Sequence, residues 1–132
     1  MSLLRCTTGD RGSATLDFVL VAPLVAVLAL GVVQVAITMH IRSTLAAAAA
    51  EGARTAAAWG ASPLHGTQRA RELMADNLAG DVVTAVSTRY ERREGLPVAT
   101  VRIDGRIPLL GLLGPQGLSV EGSALREPGI VR

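Results

Sequence analysis

Lysine is absent from this chain of 132 residues, and phenylalanine, tyrosine and tryptophan occur once each. Nucleic-acid surfaces are built from clustered cations or stacking rings. Here the 13 basic residues are all arginine, oppose 11 acidic ones for a net charge of +2, and are scattered along the chain. That pattern excludes nucleic acid as a partner. One cysteine, Cys6, makes neither a disulfide nor a thiolate metal site within one chain. The two histidines, His40 and His65, belong to different segments. No HExxH, CxxC, phosphate-binding glycine loop or GxSxG pattern occurs. With no acid–base pair or nucleophile constellation, the sequence implies no catalytic residue, metal, cofactor or small-molecule substrate.

Charge is also missing altogether from residues 18–39. At about 1.5 Å per helical residue, this run matches the roughly 30 Å of a bilayer's hydrocarbon core. Its residues are mostly Val, Leu, Ala and Ile, with Gln34 as a polar exception. It is apolar all round, as a helix surrounded by lipid must be. A secretory signal has a shorter apolar region of about 7–15 residues, and a lipoprotein signal has its cysteine after that region, whereas Cys6 precedes it. A permanent membrane helix is the reading left. Arg5 and Arg11 ahead of the run favour a cytoplasmic N-terminus, with everything after Met39 outside; Arg42 opposes this weakly. Pro23 removes one helical hydrogen bond inside the span. Gly31 permits close helix approach, and Gln34 is either an interhelical partner or an ordinary polar residue near the outer end.

Removing this run leaves roughly 90 residues, enough for a small core only. Alanine dominates residues 45–58, and Gly60 with Pro63 closes the segment, so one helix over about 14–59 is predicted. Ser62 and Pro63 then read as cap and first position of a second helix reaching Ala79 and stopped by Gly80. Its inward face carries Ala70, Leu73, Met74, Asn77 and Leu78. Period-two alternation follows. Val82, Thr84, Val86, Thr88 and Tyr90 share one face, as do Ala99, Val101 and Ile103 after a turn at ERREGLP, and Leu118, Val120, Gly122 and Ala124. The connection over residues 106–117, RIPLLGLLGPQG, either closes the core or offers an apolar contact patch. The fold class is α+β: a long N-terminal transmembrane helix continuing into an extracytoplasmic stem, then an amphipathic helix on a small antiparallel sheet of about three strands.

Two motifs carry a resemblance. Gly12-Ser13-Ala14-Thr15-Leu16-Asp17-Phe18 resembles the processing site of the type IV pilin superfamily, and Pro23 follows as prolines do there. Glu51-Gly52-Ala53-Arg54-Thr55-Ala56-Ala57 resembles the EGAR-x-AA signature of the TadE-like family of Tad pilus and secretion systems. The resemblance implies that a prepilin peptidase cuts between Gly12 and Ser13, leaving Asp17 as the fifth mature residue before Phe18. The superfamily usually has Glu there. It implies that Asp17 pairs with the α-ammonium of a neighbouring subunit and sets the register of packed helices; the alternatives are a pairing within the same chain, Ser13 being one helix turn away, and a hydrated carboxylate at the headgroup boundary, favoured by the helix start. The expected layout is a cleaved leader (1–12), a transmembrane helix and stem (13–59, membrane part about 18–39) and an extracytoplasmic head (60–132). The implied partners are the membrane, other pilin-like subunits, the Tad assembly machinery and the peptidase, with a minor pilin or pseudopilin as the role. The other class of reading is an uncleaved single-pass envelope protein whose outer domain binds a partner or ligand.

Overall fold

The computed structural model describes residues 10–77, 82–107 and 116–126. The leader residues ahead of Asp10, the expected stop of the second helix at Gly80 and residues 108–115 of the apolar connection lie outside these. The chain divides into two units, Met1–Ala36 and Ile37–Arg132.

Helix α1, Asp10–Ala57, has 48 residues and includes Pro23. It starts four positions earlier than the sequence suggests. It ends two residues early, where the N–H of Ala58 still donates to Arg54 O at 3.2 Å and Gly60 takes a φ of +75°. That left-handed conformation costs glycine little and stops helices. In the first unit the large apolar side chains face outward: Phe18 is 71% exposed, Leu20 73% and Leu24 69%. Among the described residues, one candidate membrane span, Asp17–Ala57, has a mean hydropathy of 2.6 over its most apolar window, none of it buried. The unfavourable hydration of so much apolar surface is what a bilayer removes.

The second unit is an α+β head. It is built on the outer part of α1, whose residues Ile41, Leu45, Ala48, Ala49, Gly52, Ala53, Ala56 and Ala57 are buried. Their three- and four-residue spacing defines one helix face. Helix α2, Pro63–Asn77, opens with a reciprocal cap. The Ser62 N–H donates to His65 Nδ1 at 3.1 Å and the His65 N–H returns to Ser62 O at 3.1 Å, so a histidine takes the place usually held by Glu or Gln in a capping box. Gly66, Ala70 and Met74 are its buried face.

Strands β1 (Val83–Arg93), β2 (Leu96–Ile107) and β3 (Gln116–Leu125) form an antiparallel sheet in the order β1-β2-β3. The seven residues ERREGLP are not all turn. The strands run to Arg93 and resume at Leu96, joined by Glu94 and Gly95 with φ of 52° and 82°. Two positive φ values match the right-handed twist of paired strands, as in a type I′ hairpin. A register shift between Val83 and Ala85 also moves Thr84 off the expected apolar face. Thr84 is exposed, and its hydroxyl donates to Asp104 O at 2.9 Å. Past the bulge the alternation holds, with Val86, Ile103 and Val120 in register, then Thr88, Val101 and Gly122, then Tyr90, Ala99 and Ala124.

Candidate functional site

The sequence-derived positions fall into two groups on α1. Gly12 and Ser13 are in its first turn, where backbone N–H groups have no intrahelical partners and unwinding costs little. Asp17 and Phe18 follow one turn later, both exposed, and Pro23 lies inside the helix. A proline there deletes one backbone hydrogen bond without ending the helix.

The second group explains itself by packing. Glu51 and Arg54 make an exposed i,i+3 pair at 3.4 Å, which contributes a few tenths of a kcal/mol. Gly52 and Ala53 face the opposite way. A Cβ on Gly52 would lie 2.7 Å from Gly66 O and 3.1 Å from Ala70 Cβ, and one on Gly66 would lie 2.7 Å from Ala56 Cβ and from Gly52 O. These two glycines let α1 and α2 touch backbone to backbone. Ala53 is fully buried against the sheet residues Val101 and Ile103. On the sheet side, a Cβ on Gly122 would overlap the backbone of Ala49 and Ala50. The EGAR segment is thus half surface ion pair and half helix seat. Its described contacts are made within the chain.

Several positioning groups were not foreseen from the sequence. The Tyr90 hydroxyl lies 3.1 Å from Ala56 O and 3.0 Å from Ala61 O. Its one proton holds the end of α1 and the connection to α2 against β1. The Arg126 guanidinium covers the Tyr90 ring at 4.1 Å, a favourable cation–π geometry. Thr67 and Thr88 hydroxyls meet at 2.9 Å, tying α2 to β1. The sequence placed Tyr90 and Thr88 on the inward face of β1 but gave no sign of these partners.

The other sheet face is charged. Arg89 reaches Glu91 and Glu121 at 3.4 Å each, Arg93 reaches Glu91 at 2.9 Å and Arg102 reaches Glu121 at 3.5 Å. Exposed pairs of this kind stabilise little singly. Glu91 also accepts a hydrogen bond from the buried Thr100 hydroxyl at 2.8 Å. That bond holds its carboxyl below the usual carboxylate range; desolvation opposes it, and Arg93 and Arg89 assist. A depressed folded-state pKa stabilises above the ordinary carboxylate range, and the contribution is lost as pH falls through the lowered value. Thr100→Val removes the donor, so the Glu91 carboxyl should titrate at higher pH in a carbon-detected NMR titration. An unmoved curve would mean that the arginines alone set it.

An open groove beside the ion pair, about 590 Å³, is lined by Thr44, Ala47, Ala48, Ala50, Glu51, Arg54 and Leu73. Among the described residues no three His, Cys, Asp or Glu side chains converge on a possible metal position.

Residues 12–54 match the family model described as TadE-like protein. The chain carries a TadE-like segment. The match covers about a third of the chain and begins at Gly12, ending at Arg54. Both ends therefore coincide with the two motifs read from the sequence. No curated protein and no solved structure matches. TadE-like proteins are a structural, pilin-type family associated with Tad pili, and the N-terminal apolar helix of this chain suggests a single-pass membrane anchor.

Proposed function

We propose that the protein is a TadE-like minor pilin or pseudopilin, a membrane-inserted structural component of a Tad-type pilus or secretion apparatus. The observation that carries this reading is the TadE-like match over an outward-facing apolar helix whose far end builds the core of a small head. Residues 1–12 are a leader removed by a prepilin peptidase after Gly12. Residues 13–59 are membrane helix and stem, and the remaining chain forms a head on the outer side of the cytoplasmic membrane. Asp17 accepts the α-ammonium of a neighbouring subunit, Phe18 and Pro23 shape the same packing surface, and other pilin-like subunits and the assembly machinery are the partners.

Cleavage is the decisive step. Mass spectrometry of protein recovered from peptidase-containing cells should show Ser13 as the first residue, with peptidase-deficient cells retaining Met1. Retention of the leader in both would overturn the pilin role and leave an uncleaved envelope anchor.

A further inference from the structure

Within the unit Ile37–Arg132, Met39 is 67% exposed and Ile41 only 6%. The buried core thus begins two residues after the uncharged run ends, about 3 Å along the helix. The end of the sheet at this level is fixed by contacts. A Cβ on Gly105 would lie 3.4 Å from Leu45 Cδ1, and Ile107 shares a buried cluster with Ile41. The opposite end of β2, at Ala99, packs with Ala56 and Ala57. Gly105, Arg106 and Ile107, with Gly117 paired to Arg106, therefore form the rim of the head closest to the end of the apolar run.

Among the described residues, two arginines stand exposed at this level of the head. Arg42 on α1 and Arg106 on β2 are both exposed. The Arg106 N–H donates to Val82 O at 2.7 Å, which fixes the strand that carries its side chain. Asp104, two residues before Arg106 on β2, is paired with Arg102 at 3.1 Å. No charged residue occurs in the sequence between Arg106 and Glu121. Among the described residues, neither Arg42 nor Arg106 has an acidic partner.

We propose that this rim rests on the phospholipid headgroup layer, with the Arg42 and Arg106 guanidinium groups paired to lipid phosphates. The proposal rests on α1 being membrane-embedded. Guanidinium presents a planar fork that matches phosphate oxygens, and an anionic bilayer surface attracts each arginine near it by about fivefold in local occupancy. The head is thereby held down on the bilayer, with its Leu96 end pointing away.

The test places nitroxide labels on the full chain in a Cys6→Ser background, reconstituted into vesicles of phosphatidylcholine with or without phosphatidylglycerol. Gly117→Cys marks the rim, where nothing lies within 4 Å of an added Cβ. Leu96→Cys marks the far end and Val27→Cys the apolar run. Collision with a water-soluble nickel chelate should be several-fold lower at position 117 than at 96, and lower still with phosphatidylglycerol. Arg42→Gln with Arg106→Gln should abolish the phosphatidylglycerol effect. Equal access at 117 and 96 in both vesicles, with position 27 shielded, would overturn the rim contact alone. Chelate access at position 27 would overturn the membrane placement of α1 and the rim proposal with it.

Discussion

Gly122→Val should lower the unfolding free energy of the head by about 2–3 kcal/mol, the usual penalty for forcing volume into a packed interior. For a domain of this size that is a drop in Tm of the order of 10–20 °C, measured by circular dichroism of the detergent-solubilised chain. The reason is that a side chain at Gly122 meets the backbone of Ala49 and Ala50, which has no rotamer by which to yield. The sheet and α1 must separate, opening contacts along Leu45, Ala53, Val101 and Ile103. Gly117→Val serves as the comparison, since open space surrounds that position, and it should leave Tm nearly unchanged. Equal effects of the two substitutions would mean that the close approach at Gly122 does not govern stability.

Asp17→Ala should leave membrane insertion intact and reduce incorporation into the assembly at least about tenfold, equivalent to 1.4 kcal/mol of lost pairing. Insertion does not suffer because a carboxylate at membrane depth opposes it by about 2.5–3.5 kcal/mol at the helix centre. Incorporation should, because Asp17 is an exposed acid at the start of a run of exposed apolar side chains and, in the proposed role, supplies the charge that fixes axial register. Membrane fractionation and co-purification with partner subunits separate the two effects. Asp17→Glu should retain incorporation. Full incorporation of the alanine variant would remove the pairing role from Asp17.

The parts of this fold legible in the sequence were those set by local physics. An uncharged run at bilayer length, an alanine tract ended by Gly60, the Ser62-Pro63 helix start and the alternation of β2 each announce an element without help from distant residues. What escaped was decided at a distance. Alanine gives a helix almost no sidedness, so nothing in residues 46–58 says which face meets the sheet; Gly66 and Gly122, remote in the chain, decide it by permitting contact with Gly52 and Ala49. Arg92 and Arg93 looked like turn residues because charge clusters there, yet Arg93 belongs to the charged face of a strand, paired with Glu91. Thr84 was misplaced for a related reason: one extra residue at the Val83 and Ala85 bulge inverts the facing that alternation assigns. Of the candidate positions, the EGAR segment was found by its resemblance, while its packing role through Gly52 required coordinates.

Because Ile41, Leu45, Ala48, Ala49, Ala53, Ala56 and Ala57 are core residues of the head, the domain cannot be excised at the point where its strands begin. A fragment starting after α1 would expose Val101 and Ile103 to water and should aggregate. One starting at Ile37 keeps the missing wall and discards most of the grease. During synthesis the same arrangement sets an order of events: residues 41–57 are made first, a wall without a building, and they wait, apolar side bare, until β3 has been added.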